Sequence, residues 1–131
     1  MSSYLTFYIK DDKTEPISLI EYSRNHNVYQ YFNDTIRPAY IESDIQYTEL
    51  DELQVKKVLD SITEDIKSSQ KRLTEYEKYA GQNPDYIEDI LDLREYIEEL
   101  ETAYNITDFI LDIIVSSKYS TNNKKILCNI D

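Results

Sequence analysis

The 131-residue chain is 40% hydrophobic and 31% charged, which is the composition of one folded domain and excludes a disordered one. Its formal net charge of −12 argues against direct binding to nucleic-acid phosphates or anionic lipid and favours a basic partner protein; the alternative is that the charge only keeps the domain in solution. The single glycine excludes glycine-rich phosphate-binding loops, and the single cysteine excludes an intrachain disulfide.

The opening residues indicate a cytoplasmic protein. The sequence MSSYLTFYIKDDK lacks the basic stretch and following apolar run of a secretory signal. No segment approaches the roughly 18 apolar residues that a membrane-spanning helix needs. We therefore expect a protein of the cytoplasm that does not enter a membrane.

Two short strands are predicted near the N-terminus. Residues 3–10 alternate in polarity, with Leu5, Phe7 and Ile9 on one side, which predicts a strand with one buried face. Turn-forming residues follow in the sequence DDKTEP, and residues 17–20 then begin a second strand or a short helix. We favour a hairpin of two strands.

A short helix is predicted next. The polar sequence SRNHN at residues 23–27 contains helix-capping side chains, and Val28 begins an apolar pattern that ends near Asp34. The Arg37-Pro38 pair should stop this helix, and residues 39–47 should form an irregular connection.

The first long helix is predicted from Thr48 to Ala80, because TELDE offers a capping side chain and an acidic first turn. Apolar residues then recur in steps of three and four, which predicts a coiled-coil-like seam. Gly81, the only glycine, should end the helix in a left-handed conformation. The seam positions are Val55, Leu59, Ile62, Ile66, Ser69, Leu73, Tyr76 and Ala80.

The second long helix is predicted from Pro84 to about Ser117, with Asn83 as its cap. The two helices should pack as an antiparallel hairpin, each about 45 Å long, that projects from the rest of the domain. Near the base of the hairpin the apolar stripe widens, so a second surface should cover it there. The seam positions are Tyr86, Ile90, Leu93, Ile97, Leu100, Tyr104, Thr107, Leu111 and Ile114.

The predicted fold is α+β and mostly helical, in one domain spanning residues 1–131. Residues 1–47 supply strands and the short helix, residues 48–117 the hairpin, and residues 118–131 a loop and a last strand. The polar loop extends over residues 116–125, and the strand over residues 126–130 should pair with the first strand. Both termini therefore contribute to one small sheet.

Residues capable of catalysis or metal binding are sparse. His26 is the only histidine, so a familiar zinc site is excluded. The carboxylates lie outside the seam and lack the Glu-x-x-His spacing of di-metal bundles. We expect no metal, no cofactor and, since no nucleophile, base and oxyanion arrangement is visible, no enzymatic activity.

One face of the second long helix is unusually acidic. Five carboxylates step by three and four residues along the side opposite the seam, and we call them the acidic row: Asp85, Glu88, Asp92, Glu95 and Glu99. Asp89 and Glu98 flank the row, and all seven residues are candidates for binding a basic partner. Like charges at these spacings destabilise a helix, which argues for an external basic surface. The alternative is that bases of the first long helix neutralise the row across the hairpin.

Three segments resemble a set of small uncharacterised bacteriophage proteins: SSYLTFYI, EYSRNHNVYQYFND, and YTEL before the first long helix. The resemblance covers about the first fifty residues and contains no catalytic motif. It implies a phage or prophage source and an accessory role, such as inhibition of a host enzyme or nucleic-acid-binding complex, or a minor part in the virion or its assembly. It carries no functional residue over to this chain.

Two functions follow as hypotheses. The first is a phage-encoded inhibitor in the host cytoplasm that binds a basic, nucleic-acid-handling protein by charge mimicry through the acidic row. The alternative is an assembly protein whose hairpin seam or tyrosine-bearing face forms a homo-oligomer. The 13 tyrosines suit an interface, but an AT-rich genome would also produce a tyrosine-rich chain.

Overall fold

A computed structural model describes residues 4–41, 48–118 and 124–130, and it has the predicted α+β architecture. Two long helices pack against each other. A third helix and three strands precede them in sequence, one strand follows them, and the four strands form one sheet. The elements are β1 (Tyr4–Lys10), β2 (Ile17–Ser23), α1 (Asn27–Ile41), β3 (Thr48–Glu49), α2 (Glu52–Ala80), α3 (Tyr86–Ser117) and β4 (Lys125–Ile130).

The sheet is antiparallel in the order β2-β1-β4-β3, so the predicted pairings of β1 with β2 and with the C-terminal strand are both confirmed. Phe7 lies opposite Ile20 on one side and Cys128 on the other. Because alternate residues share a face, Leu5, Phe7 and the facing residues of β4 form one apolar layer beneath the helices. Strand β2 forms one edge, with a bulge opposite Phe7 and Tyr8.

The core lies where the sheet meets the helices. Phe7 contacts Phe32 of α1 edge to face, with ring centroids 5.0 Å apart, and both side chains are fully buried. Helix α1 also contacts α2 and α3. These contacts cover much of the wider apolar stripe that the sequence indicated in the C-terminal half of α3, but Phe109 of that stripe is 63% exposed.

The hairpin of α2 and α3 contains 29 and 32 residues, or about 44 and 48 Å of helix. Most of the predicted seam is buried, including the small polar Ser69, which is 6% exposed. Burial declines toward the turn between the two helices. Val55, Val58 and Ile62 are fully buried, whereas Leu73 and Tyr76 are only half-buried.

One seam assignment is wrong. Tyr104 is 36% exposed, and the adjacent Ala103 is buried in its place. Further along, Ile110 is buried beside the predicted Leu111, which is only partly buried. A straight helix drifts by about 20° per heptad relative to a 3.5-residue repeat, so a seam must shift along a long helix.

Two predicted boundaries are wrong at the start of the chain. Helix α1 continues through Arg37-Pro38 to Ile41. Proline lacks the N–H that would have bonded the carbonyl of Asp34. Because Asp34 is an exposed residue, the missing bond costs less there than it would in the core. Of the connection predicted over residues 39–47, the first three residues are helical and residues 42–47 lie outside the described residues.

Helix α2 begins at Glu52, and the predicted cap Thr48 instead belongs to β3, which pairs with β4. Asp51 is the cap: its carboxylate accepts a hydrogen bond from the Gln54 backbone N–H at 2.7 Å, and the Gln54 side chain accepts from the Asp51 N–H at 3.1 Å. This reciprocal pair stabilises the first turn more completely than a single side chain would.

The turn between the long helices also differs from the prediction. Gly81 has φ −69° and ψ −18°, which is right-handed helical backbone. The Tyr79 carbonyl accepts hydrogen bonds from both Gln82 and Asn83, so the chain continues in tight helical turns before reversing. Helix α3 then starts at Tyr86, two residues after the predicted Pro84, with the Asn83 side chain accepting from the Asp85 N–H at 3.0 Å.

The end of α3 agrees with the predicted limit at Ser117, so the first two residues of the predicted 116–125 loop are helical. Residues 119–123 of that loop lie outside the described residues, and Lys125 is the first residue of β4.

Candidate protein-interaction surface

The acidic row lies on the solvent side of α3. All five of its residues are exposed, as are the flanking Asp89 and Glu98. The neighbouring residues Ile90, Leu93 and Ile97 are 7 to 8% exposed and face α2, so the helix has one buried and one acidic side. From Asp85 to Glu99 the row extends over about 21 Å.

The row lacks basic neighbours within the part of the chain that the structure describes. No Lys, Arg or His nitrogen lies within 4 Å of any of the seven candidate carboxylates there. Arg94, the one base between Asp85 and Asp112, instead pairs with Glu77 of α2 at 3.1 Å. Among the bases of α2, Lys56 pairs with Glu52 in its own helix at 3.2 Å. The contacts of the described residues therefore do not support the alternative in which Lys and Arg side chains of α2 neutralise the row.

The end of the row at Glu99 lies beside the turn between β2 and α1. Asn27 donates a hydrogen bond from its side-chain amide to the Glu99 carboxylate at 3.3 Å. Asn25, His26 and Thr102 complete the wall of a small polar depression of about 250 Å³. The long separation of these residues in sequence left this junction unpredicted.

His26 has a structural role within this turn. Its Nδ1 accepts a hydrogen bond from the Val28 N–H at 3.2 Å, and its carbonyl accepts from the Tyr29 N–H at 3.1 Å. Its ring also lies against that of Tyr22, with centroids 4.6 Å apart. His26 therefore caps α1, so the cap lies within the polar segment 23–27 in which the sequence predicted it.

An exposed apolar pair borders the acidic row near the turn. Ile87 is 54% exposed and Leu91 is 58% exposed, and they are adjacent one helical turn apart. Leu91 is also three residues from Glu88 and four from Glu95, so it is a surface neighbour of both carboxylates. The sequence signal for this pair was two apolar residues four apart outside the seam. We call the acidic row together with Ile87 and Leu91 the outer face of α3.

Three tyrosines cluster at the end of the hairpin. The Tyr86 ring lies 5.7 Å from that of Tyr76 and 6.3 Å from that of Tyr79, centroid to centroid. Tyr79 is 53% exposed. The cluster joins the ends of the two helices with aromatic contacts, while part of it faces solvent.

Two further groups that could take part in chemistry, the Tyr31 hydroxyl and the Cys128 thiol, are held in the protein interior or in a hydrogen bond. Tyr31 of α1 donates a hydrogen bond to the Asp65 carboxylate of α2, and burial together with this bond raises the pKa of Tyr31. Burial raises the pKa of the Cys128 thiol to about 12, which leaves it protonated and unreactive at neutral pH. Within the described residues, no group of His, Cys, Asp and Glu side chains is arranged to hold a metal ion.

Comparisons with protein-family models, with curated proteins and with solved structures find no match to this chain. Across the three described ranges, no helix has both the length and the apolar character to cross a membrane.

Proposed function

We propose that this protein is a non-enzymatic interaction module that binds a basic partner protein through the acidic row. The observation that carries the proposal is the absence of basic neighbours: five carboxylates along about 21 Å of exposed helix have no cation within 4 Å in the described residues. Repulsion between carboxylates three and four residues apart costs helix stability, and a cationic partner surface relieves it.

The class of partner follows from charge. A net charge of −12 repels phosphates and anionic lipid, so the partner is a protein. Proteins with extended cationic surfaces include those that bind nucleic acid, and a row of carboxylates on a rigid helix competes for such a surface by charge mimicry. The resemblance of the first fifty residues to phage proteins adds the proposal that the chain is phage-encoded and inhibits a host protein in the host cytoplasm.

The test compares two triple variants of equal charge. Glu88→Gln, Asp92→Asn and Glu95→Gln alter the row, whereas Asp60→Asn, Glu64→Gln and Glu75→Gln alter exposed carboxylates of α2. Each triple raises the net charge by three, from −12 to −9, so the overall attraction to a cation changes equally. Both variants and the parent serve as bait in bacterial lysate, and captured proteins are identified by mass spectrometry.

The proposal requires a basic protein that the parent and the α2 triple capture and the row triple does not. Binding of that purified protein should weaken with added salt and be displaced by duplex DNA. Equal capture by both triples, or no basic protein captured by any bait, would overturn the proposal and leave the row as a solvated face.

A homo-oligomeric assembly protein is the second candidate, and strand β2 favours it. β2 forms an edge of the sheet, where Ile17, Leu19 and Ile20 are 57, 43 and 41% exposed. Such an edge is a template for pairing with another strand. The seam is buried between α2 and α3 of the same chain, so an oligomer would form through the edge or the tyrosine cluster. Light scattering after size exclusion distinguishes this candidate by an oligomer that persists in high salt.

A further inference from the structure

We infer that the outer face of α3 docks an amphipathic cationic helix of the partner, with Ile87 and Leu91 as apolar anchors beside the acidic row. This inference rests on the proposed function and adds the kind of element that is bound. Single exposed apolar residues are common on protein surfaces. Here two of them are adjacent on one helix, more than half exposed, and bordered by carboxylates without basic neighbours in the described residues.

Charge complementarity selects the occupant. A bound element must cover Ile87 and Leu91 with apolar side chains and meet Glu88, Asp92 and Glu95 with cations. A second copy of this chain brings another charge of −12, and an anionic lipid surface is repelled for the same reason. A partner segment that presents apolar residues beside Lys and Arg on one face satisfies both requirements.

Geometry favours a helix for that segment. The anchors are one turn apart, about 6 Å along the axis, and the whole row extends over about 21 Å of the same helix. A second helix laid along this face presents its own residues at i, i+3 and i+4 with a matching rise. About 14 residues of partner helix span the row.

The probes are two synthetic 15-residue peptides of equal charge, whose lengths are on the order of the row's span. The first contains Lys, Ala and Leu, with the Leu residues at helical i and i+4 spacing; the second replaces each Leu by Ser. We expect the Leu peptide to bind the parent protein at least about tenfold more tightly than the Ser peptide, because burial of apolar area adds to the charge attraction. Circular dichroism should show that the Leu peptide gains helix when it binds.

Two double variants locate the apolar contact. Ile87→Ser with Leu91→Ser should abolish the tenfold preference, whereas Ile17→Ser with Leu53→Ser, a pair that is 57 and 64% exposed and outside the outer face, should leave it unchanged. All four sites are exposed, so thermal unfolding should confirm that both variants fold.

The outcomes separate this inference from the proposed function. If the two peptides bind the parent equally and the row triple weakens both, the anchors are irrelevant and charge binding stands. If the Leu preference survives in the Ile87/Leu91 variant, or the bound peptide gains no helix, the inference is wrong. If the row triple binds both peptides as tightly as the parent does, the proposed function fails as well.

Discussion

The Asn27 side chain, at the start of α1, donates a hydrogen bond to the Glu99 carboxylate of α3 across 72 residues of sequence. Glu99 is the last residue of the acidic row, and the positive end of the α1 dipole lies beside it. Elsewhere in the row, the described residues provide no hydrogen-bond donor to a side-chain carboxylate. The fold therefore stabilises one end of the row and leaves the remaining four charges to solvent or a partner.

Removing the charge of the whole row should leave the hairpin folded and slightly more stable. Changing its three Glu to Gln and two Asp to Asn relieves the four repulsions within the row, each worth a few tenths of a kcal/mol. The loss of acidic charge in the first turn of α3 offsets part of this gain. We expect a net increase of about 0.5 kcal/mol in the free energy of unfolding, measured by urea denaturation at low salt.

The difference between parent and variant should shrink as salt is added, because screening weakens repulsion at the surface. The conservative change Glu99→Gln keeps an oxygen that accepts from Asn27, so it should be nearly neutral alone. A five-site variant that is less stable than the parent at low salt would show that the row has stabilising partners within the chain.

The cap of α2 should contribute measurably to stability. Asp51→Ala removes the carboxylate that accepts from Gln54 and leaves an N–H of the first turn without its partner. Capping residues of this kind are worth about 1 kcal/mol. Asp60→Ala, an exposed change in the interior of the same helix, is the control and should change the free energy of unfolding by less than about 0.5 kcal/mol. Equal effects of the two changes would contradict the role of Asp51.

Periodicity identified the main elements because each buried face repeats along many residues. The alternation of Leu5, Phe7 and Ile9 required a strand with one covered face, and the long run of three- and four-residue steps required paired helices. A signal repeated over eight or nine positions tolerates one weak member, as Ser69 shows by being buried in the seam.

Helix ends depended on single residues, for which the sequence offers competing signals. Thr48 and Asp51 both resemble caps, and pairing with β4 decided between them. Pro38 is a strong helix breaker in general, but the helical hydrogen bond that it removes is one to the carbonyl of an exposed residue, Asp34. These outcomes depend on tertiary contacts and solvent access, which local sequence does not encode.

The candidate site was partly predictable, because its residues also repeat at helical spacing. Helical spacing alone placed the acidic row opposite the seam, and all seven of its candidate residues are exposed. The contact of Glu99 with Asn27 and the capping role of His26 required the packing of α1 against α3. The absence of basic neighbours could not be derived from sequence, because it depends on how the α2 side chains are directed.

Stability should fall at high pH. Burial, followed by the bond to Asp65, raises the pKa of Tyr31 above its usual 10.0, and burial raises that of Cys128 from 9.0 to about 12. The unfolded chain therefore loses these protons at a lower pH than the folded chain does. The contribution of the two groups to the free energy of unfolding is complete below about pH 9. It declines as the pH rises further, because the folded state then binds more protons than the unfolded state does.

Urea denaturation between about pH 8 and about pH 11 measures this decline. Tyr31→Phe and Cys128→Ala each remove one of the groups, so each should make the free energy of unfolding fall less steeply with pH. Both lower stability at neutral pH, which is why the slope and not the absolute value is compared. A slope that neither change alters would show that other groups cause the alkaline loss.

The turn between the long helices offers a stabilising substitution. Gly81 has right-handed backbone angles that alanine adopts without strain, and no atom lies within 4 Å of the position its Cβ would occupy. Alanine also restricts the unfolded chain, so Gly81→Ala should raise the free energy of unfolding by about 0.4 to 1 kcal/mol. Urea denaturation at neutral pH measures the change, and Ser61→Ala, an exposed change within α2, is a reference for helix propensity alone. A loss of about 1 kcal/mol in Gly81→Ala would instead indicate the left-handed conformation that the sequence predicted.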